Sequence, residues 1–265
     1  MKVFLSSIEN SSNKELIEYL LNNNIQADYI LISYFYFRKS GYSLDVIKNI
    51  SKEILVDSGA HSFQKGSKVE WETYTKEYAE WINKNDCKQI LGYFEMDIDN
   101  IVGLDNVLYL RNILEKVSNK IIPVWHKNRG IEEYKNMCKK YKFAAVTGFK
   151  NEDIKDSQYL MFLNYARKHN CKIHCLGMTR TNILNTVPFY STDSSSWKQS
   201  AVYGTFTKFF SGKFKFIHQP KSISVNTISK QNFIEYMKAQ RYFYNKWKNF
   251  KKQFAIILLK TKEIY

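Results

Sequence analysis

Short apolar runs alternate with amphipathic helical patterns along most of this chain, and that rhythm restricts the fold more than any other feature. The strand-like runs are KVFLSS, DYILISY, EILVDSG, QILGYFEMD, KIIPVWH, FAAVTGF, KIHCLGM and VPFYSTD. Between them stand helical patterns such as NKELIEYLLNNN, EWETYTKEYAEWINK, LDNVLYLRNILEKVSN, IEEYKNMCKKY, SQYLMFLNYARKHN and TRTNILNT. Runs such as Ile54, Leu55 and Val56 have no polar side, which suits strands covered on both faces. Repeated β–α order implies a parallel sheet, and about eight strands predict an α/β fold of the (β/α)8 TIM-barrel type. A doubly wound sheet shares this order, but neither a GxGxxG nor a P-loop supports it.

After Trp197 the rhythm changes. YGTFTKFFSGKFKFIH reads as a hairpin or basic ribbon turning at Ser211-Gly212. From Ser229, SKQNFIEYMKAQRYFYNKWKNFKKQ reads as a long helix with Ser229 as its cap. No Pro/Gly/Ser-rich linker intervenes, so the chain reads as one domain over 1–265. Its barrel core spans 1–200 and a basic, aromatic β-ribbon and helical extension spans 201–265.

The formal net charge is +15, from 40 Lys+Arg against 25 Asp+Glu. Such an excess points to a polyanionic partner, nucleic acid first. A chain rich in Lys, Asn and Ile is also what AT-rich coding produces whatever the function. Cys87, Cys138, Cys171 and Cys175 form neither a CxxC pair nor a disulfide framework, so no metal and a reducing compartment are expected. MKVFLSS lacks the pattern of a signal peptide and no apolar run is long enough to cross a bilayer. The expectation is a soluble, cytoplasmic protein with no membrane partner.

Reacting groups of a (β/α)8 barrel sit at the C-terminal ends of its strands. There the chain places Asp57 after EILV, Asp97 and Asp99 in YFEMDID, and Trp125-His126 after IIPV. Gly148 follows AAVT, Gly177 follows HCL and Asp193 ends FYSTD. Glycines at strand ends let a flat ligand approach the backbone. Each residue alone also has a plainer reading. An Asp after a strand commonly caps the next helix, as Asp153 and Asp156 are expected to do. A lone histidine such as His126 is commonly a hydrogen-bonded rim residue. Recurrence on successive strand ends favours the functional reading.

VDSGAHSFQ resembles the Asp-Ser-Gly-Gly-(Phe/Tyr)-Gln motif of the tRNA-guanine transglycosylases, with a short insertion before the aromatic residue. YFEMDID is similar to their second acidic strand end, and AAVTGFK and IHCLGMT to the glycine-bearing strand ends of the base pocket. VPFYSTDSSSW stands where that superfamily places its nucleophilic aspartate. The resemblance covers roughly Ile54 to Trp197. Its cysteine-rich zinc site has no counterpart here, and TDSSSW replaces the usual Asp-Cys-Val continuation. Both departures resemble the phage DpdA-like DNA-guanine transglycosylases, which place 7-deazaguanines in DNA.

That resemblance implies base exchange in DNA without cofactor or metal, with Asp193 as nucleophile and Asp57 as general acid/base. It implies a base pocket formed by Asp97, Asp99 as the fallback, His126, Gly148, Gly177, Ser58 and Gly59. Nucleic acid would be held by His61, Arg180, Lys208, Lys213, Lys215 and Lys221, together with the C-terminal helix. The inserted His61-Ser62 pair is where DNA and tRNA would be told apart. A tRNA enzyme lacking zinc, a catalytically silent nucleic-acid-binding subunit and a base-releasing glycosidase stay open as alternatives, as does the choice between a homodimer and a partner protein.

Overall fold

The structure is a computed structural model that describes residues 1–63, 69–148, 153–218 and 223–248. The chain forms two compact units, one of residues 6–124 and one of residues 1–5 with 125–265. It opens with β1 (Lys2–Ser6). The unit of residues 6–124 then runs through α1 (Lys14–Asn22), β2 (Ala27–Ser33), α2 (Tyr34–Ser40), α3 (Leu44–Ile50) and β3 (Ser51–Asp57). It continues with α4 (Trp71–Asn85), β4 (Ile90–Phe94), α5 (Asp99–Val102), α6 (Leu104–Glu115) and β5 (Ile121–Ile122).

Strands β2, β3, β4 and β5 pair in that order, all in parallel. Ile30, Ile32, Ile54, Leu55 and Val56 are fully buried, as expected of strands covered on both faces. Helix α4 buries Tyr74, Tyr78 and Ile82 at four-residue spacing and turns Glu72, Lys76 and Glu80 outward. Ser33 lies directly opposite Asp57, so the C-terminal ends of β2 and β3 are level. The helical patterns read from the sequence included neither α2 nor α3. Each is seven residues long, too short for a 3.6-residue period to declare itself.

Pro123 has no N–H to give to a ladder, and the expected strand KIIPVWH accordingly splits into β5 and β6 (Val124–Trp125). The second unit continues with α7 (Gly130–Lys140), β7 (Phe143–Thr147), α8 (Tyr159–Lys168), β8 (Lys172–Leu176) and α9 (Thr181–Thr186). It closes with β9 (Ser191–Ser194), α10 (Ser196–Val202), β10 (Thr205–Phe210), β11 (Lys213–His218) and α11 (Val225–Lys248). Its strands lie in the order β1, β9, β8, β7, β6. Parallel β–α alternation in each unit puts the protein in the α/β class and follows the TIM-barrel pattern.

Strands β10 and β11 form the expected antiparallel hairpin. Ser211 and Gly212 both adopt left-handed φ, 48° and 79°, as a two-residue turn of the primed type requires. Helix α11 begins earlier than Ser229, which is buried inside it. The Ser224 hydroxyl instead accepts the Thr227 N–H at 3.2 Å, so Ser224 supplies the capping oxygen.

One stripe of α11 packs through Ile228, Phe233, Tyr236, Met237 and Phe243. The fully buried Asn232 on that stripe donates to the carbonyls of Trp197 and Thr205 and accepts the Thr207 N–H at 2.7 Å. Buried Gln240 donates to the Val3 carbonyl at 2.8 Å. The helix is therefore built into its unit on one face and is not a freely solvated rod. Among the described residues no helix is long and apolar enough to cross a membrane.

Candidate active site

In the unit containing residues 125–265, strand β9 has the unusual composition Ser-Thr-Asp-Ser. Ser191, Thr192 and Ser194 are buried, while the Asp193 side chain keeps 14% of its surface exposed. One carboxylate oxygen, Oδ1, accepts the Gly177 N–H at 2.7 Å and lies 3.3 Å from Nε2 of His174. Gly177 presents that N–H from a left-handed turn with φ +63°, and no atom would crowd a Cβ there. It is the backbone conformation that calls for glycine.

His174 is wholly buried in β8 and directly faces Ser191 in β9. Its Nδ1 lies 2.8 Å from the Ser191 hydroxyl. An ionised carboxylate only accepts, so the hydrogen shared with Asp193 belongs to Nε2, and in the neutral ring Nδ1 accepts the Ser191 O–H. A buried Ser–His–Asp line thus fixes the orientation of Asp193. The buried Cys175 thiol is held protonated, first by burial and then by the negative charge of Asp193, which makes it a packing group rather than a nucleophile.

Gly148 at the end of β7 donates its N–H to the Leu176 carbonyl at 2.8 Å. A Cβ at Gly148 would lie 2.8 Å from the Cys175 sulfur and 3.0 Å from the Met178 Cβ. Close packing between strand ends therefore accounts for this glycine. His126 is not a lone histidine, because its Nδ1 is 2.9 Å from Asp153 Oδ2. The same Asp153 oxygen accepts the Thr147 hydroxyl, so Asp153 ties two strand ends together instead of capping a helix. Arg180 immediately precedes α9 and pairs with Asp156 at 2.6 Å, without the alignment of a hydrogen bond. Asp156 lies in the first turn of the short helix Asp156–Gln158, whose cap is Lys155.

In the unit of residues 6–124, Asp57 closes β3 and accepts the Gly59 N–H at 2.9 Å. That bond turns the chain out of the strand. Gly59 has φ +74°, and a Cβ there would lie 2.3 Å from the Phe35 Cβ and 2.6 Å from the Ser33 hydroxyl. Ser58 is buried, donating to the Glu95 carbonyl at 2.9 Å while its own carbonyl accepts the Tyr74 hydroxyl at 2.7 Å. Asp97 is half-buried beyond β4, and the buried Asp99 begins α5. His61 falls in the short helix Ala60–Phe63, and its side chain lies outside the described residues, as does Lys221.

Two acidic residues absent from the sequence expectations lie among these strand ends. Glu95 is fully buried, paired with Arg111 through Nε and through Nη2 at 3.2 Å, and accepts the Val124 N–H at 2.7 Å. Its satisfied, closed setting marks it as structural. Glu9 differs. It follows β1, is only 2% exposed, and accepts the Ser33 N–H through Oε1 at 3.2 Å. Its Oε2 and the Ser33 hydroxyl are buried with no hydrogen-bond partner among the described residues. Burial pushes the Glu9 carboxyl up to about 7, hydrogen bonds from its own and the Ser33 backbone pull it down, and the charge of Asp57 adds to the rise. Glu9 therefore stores a proton near neutral pH close to Asp57.

A cavity of about 580 Å³ lies at the opposite, N-terminal ends of β1 and β8. Its walls include Phe189, Tyr190 and Trp247, with Lys2, Arg167 and Lys172 among the polar groups. Lys2 and Lys172 sit 5.3 and 4.6 Å from the Tyr190 ring centre, so aromatic packing already engages two of its cations. That end of β/α strands serves stability rather than chemistry. The candidate site is accordingly placed at the carboxylate-bearing ends. No family model matches the chain, and no curated protein matches it.

Proposed function

We propose that this protein is a glycosyltransferase that exchanges guanine in DNA for a 7-deazaguanine, through a covalent aspartyl–nucleic acid intermediate. The observation that carries the reading is the setting of Asp193, a strand-end carboxylate with one oxygen held by the Gly177 N–H and by His174. A nucleophilic carboxylate must be aimed, and two donors on one oxygen fix its orientation. The resemblance of VDSGAHSFQ and of VPFYSTDSSSW to the guanine transglycosylases supplies the reaction class.

In this reading the Asp193 carboxylate attacks C1′ of the target nucleotide. The C1′–N9 bond breaks with its electron pair leaving on guanine, which receives a proton from Asp57. The incoming 7-deazaguanine then loses its N9 proton to Asp57 and attacks C1′, and Asp193 leaves. Asp97 accepts the donors of the guanine-like edge, with Asp99 as the fallback. The resemblance gives base-binding roles to Ser58, Gly59, His126, Gly148 and Gly177. A glycosidic bond inside a duplex is out of reach, so the target nucleotide is flipped or single-stranded. The chemistry calls for no cofactor.

The test is release of labelled guanine from DNA and from tRNA, with and without a 7-deazaguanine. Release from DNA only when the 7-deazaguanine is present is expected. Release without it would mean a hydrolytic glycosidase, and release from tRNA alone would mean the zinc-less tRNA enzyme. No release from either polymer would mean a silent binding subunit.

A further inference from the structure

The charge of this chain is unevenly distributed. Residues 194–265 carry 14 Lys and Arg against two acidic residues, and no acidic residue occurs between Asp193 and Glu235. The hairpin β10–β11 lies inside that acid-free stretch and has two unlike faces. Thr205, Thr207 and Phe209 turn inward along β10. The Phe209 ring packs on Tyr242 and Phe243, and Phe214 from β11 stacks on Tyr236 at 4.2 Å. The N–H groups of Thr207 and Phe209 are taken by Asn232 and Glu235 of α11. At the turn, the Gly212 carbonyl accepts from Asn185 of α9 at 2.8 Å. The ribbon is therefore held on one face, along one edge and at its tip.

Alternation along the strands sends Phe206, Lys208 and Phe210 to the other face, opposite Ile217, Lys215 and Lys213. Lys208, Lys213 and Lys215 are exposed, and Phe210 is 80% exposed. Tyr203, just before the ribbon, is 79% exposed. Lys208 stands directly across from Lys215. Like charges in that position oppose pairing, and among the described residues neither lysine meets a carboxylate. Folding explains neither this juxtaposed pair nor the bare phenylalanine beside it.

We infer that the outward face of this hairpin is a docking platform for single-stranded nucleic acid, with Lys208, Lys213 and Lys215 on the phosphates and Phe206 and Phe210 under the bases. Single strands are held by cations tracking the backbone and by aromatic rings on which unpaired bases stack. A duplex offers its phosphates but hides its bases, so it would use the lysines and leave Phe210 idle. Charge complementarity sets this occupant above a second copy of the chain, whose matching face would bring lysines against lysines. The assignment rests on the nucleic-acid reading above, and it adds the strand state of the substrate and the surface that holds it.

The experiment is fluorescence anisotropy of a labelled 12-nucleotide thymidine strand and of a 12-base-pair duplex. It uses the full chain, the Phe210→Ala variant and the Lys208→Ala/Lys215→Ala double variant. All three substituted residues are exposed, and circular dichroism verifies that the variants fold. Tighter binding of the single strand is expected, with Phe210→Ala weakening it about tenfold or more. The double variant is expected to lower the slope of log K against log salt by about 1.4. Unchanged binding by both variants would overturn the platform while leaving the exchange reaction standing. So would equal or tighter binding of the duplex, or a dimer that the variants dissociate without loss of single-strand affinity. Failure of the full chain to bind either polymer would overturn both readings. Binding as expected without guanine exchange would remove only the reaction.

Discussion

Replacing Glu9 by glutamine removes a buried ionisation whose signature is a pH-dependent stability. In the unfolded chain the carboxyl titrates at its ordinary 4.5, whereas in the folded protein burial raises it to about 7. Between those values the folded state binds the proton more tightly, so the stability contributed by this group falls as pH rises. Below the lower value both states are protonated and the contribution is constant. Above the upper value both are ionised and the loss is complete. A displacement of this size corresponds to about 3 kcal/mol at 1.36 kcal/mol per unit. Glutamine cannot ionise, and its carbonyl can still accept the Ser33 N–H.

Urea unfolding of both proteins at intervals from pH 4.5 to 8.5 isolates the effect, because other titrating groups cancel in the difference. The variant is expected to gain about 3 kcal/mol on the wild type across that range, whatever constant offset the buried amide introduces. Asp57→Asn removes the charge that adds to the rise, so it should move the Glu9 transition to lower pH. A stability difference that stays constant with pH would refute the claim that Glu9 holds a proton in the folded protein.

Further substitutions probe buried polar contacts in each unit, with a surface pair as the control. Arg111→Met strands the fully buried Glu95 carboxylate and is expected to cost about 3–5 kcal/mol in urea unfolding. Adding Glu95→Gln to it should restore part of that loss. Asn232→Ala removes the amide that donates to the carbonyls of Trp197 and Thr205 and accepts the Thr207 N–H, and a loss of at least about 3 kcal/mol is expected. Lys238→Ala on the exposed side of the same helix removes only a surface pair with Glu235 and should change stability by less than about 1 kcal/mol.

The strands were legible because burial on both faces leaves apolar runs, such as Ile54 to Val56, that need no tertiary knowledge to notice. Strand β9 was harder to place. The apolar Val187-Pro188-Phe189 segment precedes the ladder, and the strand itself is Ser-Thr-Asp-Ser, whose hydroxyls are buried by neighbours. Residue type alone does not distinguish Ser224 from Ser229 as the cap of α11. Only the path of the chain gives Ser224 the free N–H of Thr227.

Asp57 and Asp193 could be singled out because each follows an apolar or aromatic run and interrupts it. Glu9 and His174 could not. Glu9 looks like an ordinary loop acid until folding buries it against the Ser33 N–H, and His174 looks like one more residue of an alternating strand. The glycines show how one residue type serves different ends. Gly177 is required by its φ, Gly148 by the sulfur of Cys175, and Gly59 by both its φ and the Phe35 side chain. Sequence marks where a glycine stands but not which atom would collide with a Cβ.

The central claim, that Asp193 forms a covalent bond to nucleic acid during base exchange, is tested most directly by trapping that bond. The protein is incubated with radiolabelled guanine-containing DNA, without a 7-deazaguanine to complete the exchange, and run on a denaturing gel. The wild type is expected to give a shifted, label-bearing band that collapses when a 7-deazaguanine is added. Asp193→Ala is expected to give no such band while binding the DNA as before. A band that persists in Asp193→Ala, or no band from wild-type protein that exchanges guanine, would contradict the assignment of Asp193 as nucleophile.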